Sequence, residues 1–232
     1  PVDPADPLGR VVVLARGPEG YAALGRAISA GQMAGEKGAP RLTLADLAGV
    51  GGRGAAAEDR WVVLTGGADG LVPSALLADG PAAARRRLQE LIALFGAEAV
   101  RVEVWDHGDP LDSARNDALV EMALRHGVEV VATNDVRYAT PARRRLATAL
   151  AAVRERRGLD DHDPWLPAAA TAHLRSGAEQ ARRFARFPGV VARAAELGRD
   201  LAFDLRLVAP RLPPFPCPPD RTGRSRDEMA YL

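Results

Sequence analysis

The stretch that most constrains the fold is residues 98–138, which reads as a strand, a helix and a second strand. Apolar and polar residues alternate over 100–105, which is typical of a β-strand. Residues 110–126 follow with helical spacing, between an Asp-Pro pair and a His-Gly pair. The apolar run over 128–132 predicts a second, buried strand. A polar group follows each strand directly, at 106–108 and at 134–137.

These two polar groups mark a candidate site. In a parallel α/β sheet the carboxyl ends of neighbouring strands meet at one edge, where ligands and metals are bound. We therefore expect His107 and Asp135 to be neighbours there, as candidate metal ligands. A divalent metal needs three or more ligands, and Arg137 stands where a third could have been. Because a guanidinium keeps its positive charge and cannot ligate, the spacing alone does not complete a metal site.

Composition is that of an ordinary globular protein, with 47% hydrophobic and 26% charged residues. The 232 residues suffice for one α/β domain, or for one domain and part of another. No apolar run approaches the roughly 20 residues that cross a bilayer, and no amino-terminal signal pattern is present. The single Cys217 fits a reducing, cytoplasmic setting. Since the chain begins at Pro1 and ends within a helical pattern, we expect a piece of a longer protein.

Strands and helices alternate through the first 138 residues. Two further strands are predicted near 11–15 and 61–65, in addition to those near 99–105 and 128–133. This order implies a mostly parallel sheet with right-handed crossovers. A complete βα barrel takes about 250 residues, so four strands can form only part of one.

The helices of the first half carry recognisable signals. The first begins after a proline, and its predicted apolar face consists of Tyr21, Leu24 and Ile28. Thr43 and Asp46 form a capping box that starts the next helix at residue 44. The glycines and alanines over 51–57 are predicted to be a surface loop. A further helix opens at Gly80-Pro81, and its apolar stripe is Leu88, Leu91, Ile92 and Phe95.

After residue 138 the pattern becomes helical. One helix is predicted to start at Thr140, another at a capping box of Ser176 and Glu179, and a third after Pro188-Gly189. The proline-rich stretch that follows predicts an extended linker. The predicted apolar face of the first of these helices consists of Leu146, Ala149, Leu150 and Val153.

Charge is distributed unevenly. Residues 1–140 hold 14 basic and 19 acidic side chains, whereas residues 141–211 hold 14 arginines and 8 acidic side chains. The basic half fits a nucleic-acid surface, and it fits equally well arginines that solvate helix faces. Of the remaining histidines, we interpret His126 as a helix-end residue, His162 as part of a solvated acidic turn, and His173 as structural.

Four long segments of the chain together resemble bacterial error-prone DNA polymerases, which are relatives of the DNA polymerase III alpha subunit. The similar part is their polymerase and histidinol phosphatase (PHP) domain. The segments are GYAALGRAISAGQMAGEKGAPRLTLADLA, VEVWDHGDPLDSARNDAL, VVATNDVRYATPARRRLATALAAV and TAHLRSGAEQARRFARFPGVVARAAELGRDLAFDLRLVAPRLPPFP.

The resemblance implies an α/β fold with three parts. Residues 1–140 would be the carboxyl-terminal part of a PHP-type barrel, a distorted, TIM-like βα barrel. Residues 141–208 would be a helical extension that packs on it, and 209–232 a Pro-rich linker into a polymerase core. In relatives with an intact site, positions equivalent to His107 and Asp135 bind Zn²⁺ or Mn²⁺, and the second motif ends Asp-x-His. Arg137 replaces that last histidine, which implies a vestigial metal site and a structural role.

The resemblance also implies the activity of the parent protein, a DNA-directed DNA polymerase. That nucleotidyltransferase would use Mg²⁺ in DNA repair, damage-induced translesion synthesis and replication in the cytoplasm. Its catalytic residues would lie outside this fragment, which we expect to be inactive alone. Implied partners are DNA, the polymerase core of the same chain, a sliding clamp and mutagenesis accessory proteins, without a membrane. Candidate DNA-contacting residues are Arg143, Arg144 and Arg145.

Two alternatives stay open: a stand-alone PHP metallophosphoesterase or exonuclease, and a non-catalytic scaffold module. The first needs a full set of metal ligands, of which the sequence offers at most His107 and Asp135.

Overall fold

A four-stranded sheet forms the centre of the computed structural model, which describes residues 10–156, 158, 171–208 and 217. The strands lie in chain order: β1 (Val12–Ala15), β2 (Trp61–Leu64), β3 (Val100–Val104) and β4 (Glu129–Ala132). The predicted mixed α/β class and the four strand positions are confirmed. Within the described residues the strands form one open sheet, so the PHP barrel stays a prediction.

The direction of β1 departs from a parallel arrangement. Strands β2, β3 and β4 are parallel, but β1 pairs antiparallel with β2. A single crossover helix would carry the chain back to the far end of the sheet. Here three helices intervene and return the chain to the end that it left, where the Arg16 N–H donates to the Arg60 carbonyl at 2.7 Å.

Helices surround the sheet and account for most of the described chain. Predicted boundaries are confirmed at the Thr43 capping box and at Gly127, whose left-handed backbone ends the helix before it. The α-helices are α1 (Gly17–Ala34), α2 (Leu44–Gly51), α3 (Ala55–Glu58), α4 (Leu71–Asp79), α5 (Pro81–Phe95), α6 (Asp112–His126), α7 (Arg144–Glu155), α8 (Gly177–Arg183) and α9 (Val190–Asp200). Two 3₁₀ turns lie at Pro141–Arg143 and Leu205–Val208.

Both faces of the sheet are covered. Most of the core lies on one face, where the apolar stripe of α5 packs against β3 and against Trp61 of β2. On the other face, Leu197 of α9 and Leu201 just after that helix pack against a cluster of Val62, Leu64 and Val131. Complete burial of each such aliphatic side chain contributes about 1.5–3 kcal/mol to folding. The alternation predicted over 100–105 therefore does not give an exposed face, and Glu103 is buried together with the valines.

The predicted apolar face of α1 was wrong in part. Tyr21 and Ile28 are exposed, and the buried stripe consists of Gly20, Ala23, Ala27 and Gly31. Small residues are needed there because the helix lies against the backbone before β2. A Cβ atom on Gly20 would lie 2.1 Å from the Arg60 carbonyl oxygen.

Three other local predictions need correction. The stretch 51–57 is a loop only over residues 52–54, because α2 ends at Gly51 and α3 starts at Ala55; a Cβ on Gly51 would lie 2.0 Å from the Trp61 ring. Helix α4 was not predicted; Pro73 lies in its first turn, where proline is tolerated. Helix α6 starts at Asp112 rather than at residue 110, and the Asp109 side chain accepts from the Leu111 N–H in a turn before it.

The second half contains the predicted helices, but the apolar face of α7 is not covered. Leu146, Leu150 and Val153 are all exposed. The helix begins at Arg144 after a 3₁₀ turn and ends at Glu155. The linker prediction at 209–232 and the turn around His162 lie outside the described residues, apart from Cys217. None of the helices in the described ranges is long and apolar enough to cross a membrane.

Candidate functional site

Three loops follow the carboxyl ends of the parallel strands, over 65–70, 105–111 and 133–138, and we call them together the rim. Their backbones and side chains contact one another. The Glu103 N–H of β3 donates to the Thr65 hydroxyl at 2.9 Å. A Cβ atom on Gly67 would lie 2.8 Å from Cγ of Asp135, so the carboxylate of one loop lies against the backbone of another. The rim is therefore a packed junction of three loops.

Asp112 organises the loop between β3 and α6. Its buried carboxylate accepts hydrogen bonds from the backbone N–H groups of His107 at 2.8 Å and Asp109 at 2.9 Å. The Arg115 guanidinium pairs with the same carboxylate at 2.5 Å and lies 3.7 Å from the centre of the Trp105 ring. Burial lowers the pKa of Arg115, although the Asp112 charge opposes that effect. Together these contacts fix where His107 stands.

The His107 side chain is engaged by the neighbouring loop. Its Nε2 atom lies 2.6 Å from the carbonyl oxygen of Asn134, the residue before Asp135. Because a carbonyl only accepts, Nε2 carries the proton in this arrangement and offers no lone pair to a metal, whereas Nδ1 of the neutral ring keeps one. The His107 carbonyl in turn accepts from the Thr171 hydroxyl.

Asp135 is paired with Arg137 rather than left open. Nη2 of Arg137 donates to Oδ2 of Asp135 at 2.9 Å. Burial alone would lower the pKa of Arg137, but the hydrogen bond and charge of Asp135, with the charge of Asp69, outweigh it and raise that pKa. Asp135 itself has a positive φ of 38°, which is uncommon for a residue other than glycine.

A third carboxyl lies beneath the rim, on β3. Glu103 is buried and accepts from the Thr133 hydroxyl. Burial raises its pKa, and the nearby charges of Asp135 and Asp69 raise it further. Sequence reasoning missed this residue as part of the site, because alternation marked it as one of the polar residues of a half-exposed strand. The usable signal was its position, one residue before the end of the strand that leads into the His107 loop.

A segment from the second half of the chain covers the rim. The Arg175 side chain is 0% exposed. It donates to the Asp106 carbonyl at 3.0 Å, to the Asn134 side-chain oxygen, and to the Thr171 carbonyl at 2.6 Å. These bonds join two of the three rim loops to the segment that leads into α8. No local pattern marks Arg175 as their common partner.

Further contacts fasten the same segment. The Gln180 amide donates to the Thr133 carbonyl at 3.1 Å, and Arg183 pairs with Asp106 at 3.0 Å. The Tyr138 hydroxyl accepts from the Ala172 N–H, and the Tyr138 ring stacks on His173. Residues 171–183 thus lie over the strand ends, where α/β proteins bind their ligands.

The polar groups of the rim do not assemble into a metal site. Across the described ranges, no three His, Cys, Asp or Glu side chains are grouped so that they could hold a metal ion. The predicted ligands His107 and Asp135 are engaged by Asn134 and Arg137, respectively. The Glu103 carboxyl receives the Thr133 hydroxyl. The donors present therefore do not fit the metal that the PHP resemblance implies.

The candidate DNA-contacting arginines lie elsewhere, where the 3₁₀ turn meets α7. Arg143 and Arg145 are exposed, and Arg144 is half-buried. The Arg144 carbonyl accepts from the Thr148 hydroxyl of the same helix. His126 is half-buried at the carboxyl end of α6, the place interpreted from the sequence as a helix end.

Comparisons with known proteins give consistent similarities. The chain is 49% identical, over 96% of its length, to a protein named error-prone DNA polymerase from Mycolicibacterium paratuberculosis. It is 46% identical over 99% of its length to a protein of that name from Nocardia farcinica, and 42% identical over 94% to one from Cutibacterium acnes. No model of a protein family matches.

The chain spans only about a fifth of the length of these curated relatives: 20%, 20% and 19% of the three. The matched fifth nevertheless includes nearly all of the present sequence. The chain is therefore homologous to one segment of the bacterial error-prone DNA polymerases.

Proposed function

We propose that this chain is the PHP region of an error-prone DNA-directed DNA polymerase and that its role there is structural. The observation that carries the proposal is the 49% identity over 96% of the chain to a protein of that name. The whole enzyme would be a nucleotidyltransferase that uses Mg²⁺ in the polymerase core, which is a separate part of the protein. Its work would be DNA repair, damage-induced translesion synthesis and replication in the cytoplasm.

The structural role is supported by the state of the rim. Its carboxylates, its histidine and its backbone carbonyls bind other groups of this same chain, and the Arg175 side chain is fully buried among them. A substrate phosphate or a catalytic metal would have to displace these bonds. Each buried hydrogen bond to a charged group contributes about 1.5–3 kcal/mol, so displacement would be costly.

The same contacts weigh against a free-standing phosphoesterase or exonuclease. Such an enzyme would need free donors at the rim to hold a catalytic metal. Nε2 of His107 instead donates to a carbonyl, and Asp135 is neutralised by Arg137. The scaffold alternative is compatible with the proposal, because it describes what this segment does within the longer enzyme.

The proposed partners follow from the whole enzyme. They are DNA, the polymerase core of the same chain, a sliding clamp and mutagenesis accessory proteins. DNA would meet this segment through the exposed Arg143 and Arg145 and the half-buried Arg144.

A chimera tests the proposal. The matching fifth of the Mycolicibacterium paratuberculosis enzyme would be replaced by the present chain, and Mg²⁺-dependent primer extension would be measured. We expect extension comparable with that of the parent enzyme, because 49% identity over 96% of the chain implies the same fold in this segment. The equivalent segment of the 42% identical Cutibacterium acnes relative serves as the matched control graft.

One outcome of the chimera experiment would contradict the proposal. If the present chain yields a soluble, folded chimera without primer extension, while the control graft is active, then this segment is not equivalent to that of the relatives. An Arg175→Met chimera adds a test of the structural role: we expect a lower thermal unfolding temperature together with reduced extension.

A further inference from the structure

We propose that Arg137 is a built-in cation of the rim, which holds Asp135 in place where an intact PHP site would use a metal ion. The role of the guanidinium is argued from contacts within this chain. Only the comparison with a metal ion depends on the proposed function.

Asp135 is held in a partly buried position with an unusual backbone conformation. Its side chain is 19% exposed, and its backbone lies in the left-handed region with φ 38°. A non-glycine residue in that region costs about 1–3 kcal/mol and persists only where surrounding contacts require it. Those contacts are the backbone of Gly67, which leaves no room for a Cβ, and the guanidinium of Arg137 at 2.9 Å.

Three acidic side chains also lie close to one another at the rim. Asp69, Glu103 and Asp135 come from three different strand ends and lie within electrostatic reach of one another. Arg137 is the ion-pair partner of Asp135, and the charge of Asp69 also acts on it. Asp69 forms its own ion pair with Arg10 at 2.9 Å, but that pair is largely exposed and therefore weak. Without Arg137, the Asp135 carboxylate would stand near two other carboxyls and lose its paired cation.

The rim also does not match the needs of a metal. A divalent ion would need lone pairs from three or more donors, and the described residues contain no such group of His, Cys, Asp or Glu side chains. Oδ2 of Asp135 accepts from Arg137, and Nε2 of His107 donates to a carbonyl. One side chain thus supplies the positive charge permanently, with no dependence on metal supply.

A double-mutant cycle tests the inference on the 232-residue chain itself, in a buffer with a chelator. Arg137→Met removes the charge, and Asp135→Asn removes its partner while tolerating the left-handed backbone. We expect each single variant to lower the unfolding temperature by several degrees, and the double variant to be no less stable than the poorer single variant. This non-additivity is the signature of a direct coupling. Arg137→Lys should retain part of the lost stability, because it keeps a charge.

The matched control is the Arg125–Glu121 pair on α6, whose side chains are 66% and 64% exposed. The cycle Arg125→Met with Glu121→Gln should be nearly additive, as expected for exposed pairs. Additive effects at Arg137 and Asp135, or an Arg137→Met protein as stable as the wild type, would overturn the inference. If Arg137→Met does not fold, chemical unfolding of Arg137→Lys with and without Asp135→Asn gives the same coupling. Primer extension has no part in this test, so it fails or succeeds independently of the polymerase proposal.

Discussion

At the scale of the residue, chemistry at the rim depends on partners that are distant in sequence. His107 and Asp135 could be named from the sequence because each directly follows a predicted strand. Their actual partners could not be named. Arg175 reaches Asn134 across 41 positions, and only the packing of the folded chain brings them together. Periodicity and capping describe neighbours along the chain, so they carry no information about such contacts.

Glu103 gives a prediction for pH dependence. Its pKa is raised chiefly by burial, so the folded state binds the proton more tightly than the unfolded state. The charged form therefore destabilises the fold, by about 1.4 kcal/mol for each unit of elevation. We expect Glu103→Gln to be more stable than the wild type at pH 7. The difference should shrink as the pH falls through the raised pKa and vanish below the ordinary glutamate value, where both states are protonated.

Chemical unfolding of the two proteins from pH 4 to pH 8, read by circular dichroism, measures this difference. Glu98→Gln, which changes an exposed acid before the same strand, is the control and should alter the stability little at any pH. The stability advantage of Glu103→Gln over the wild type should be larger at pH 7 than at acid pH. An advantage that is larger at acid pH would contradict this expectation.

At the scale of the element, the sequence was most informative where periodicity and caps agree. The stripe of α5 and the Thr43 capping box were predicted correctly because both signals are local. Helix α1 was harder, because its buried face is made of glycine and alanine and its large apolar residues point outward. By hydrophobicity alone, the glycine and alanine face scores lower than the exposed face. It is nevertheless the buried face, because only small side chains allow the helix to lie so close to the neighbouring backbone.

Two glycines of α1 provide a matched pair of substitutions. Gly20→Ala places a Cβ 2.1 Å from the Arg60 carbonyl oxygen and should destabilise the protein by about 1–3 kcal/mol, as overpacking does. Gly25→Ala meets nothing within 4 Å and should stabilise by about 0.5–1 kcal/mol, because alanine favours the helix. Thermal unfolding of both variants measures these two stability changes. Equal effects at the two positions would mean that α1 does not pack against the backbone before β2.

The turn before α7 gives a prediction for DNA binding. Exposed arginines bind phosphate through charge, so affinity should be weak, without sequence preference, and strongly reduced by salt. Arg143→Glu with Arg145→Glu should weaken binding of labelled DNA by roughly tenfold at low salt and make the salt dependence shallower by about one unit per lost contact. The reversal Arg85→Glu with Arg86→Glu on α5, also exposed, is the control.

Fluorescence anisotropy at low and moderate salt measures these affinities. Binding that persists at moderate salt, or that falls equally in the α5 control, would show that the 3₁₀ turn and α7 are not the DNA-binding surface.

At the scale of the whole molecule, the class of the fold could be predicted and its closure could not. Alternating strands and helices indicate a mixed α/β protein from residue types alone. The antiparallel β1 depends on the path of three helices, and the docking of residues 171–183 depends on long-range hydrogen bonds. The predicted division at residues 140 and 208, and the barrel itself, stay predictions.

The docking of residues 171–183 closes the rim with groups of the chain itself. The strand ends that could have been a site are held by Arg175, Arg137 and the segment around α8. We interpret the rim as a junction between the sheet and residues 171–183.

Metal analysis of the purified chain tests this account most directly. After incubation with Zn²⁺ or Mn²⁺ and exhaustive dialysis, we predict a metal content well below one ion per chain, because no three His, Cys, Asp or Glu side chains of the described ranges are grouped to hold an ion, and Arg137 is paired with Asp135. His107→Ala should leave that content unchanged. Near-stoichiometric zinc or manganese in the wild type, lost in His107→Ala, would contradict the account.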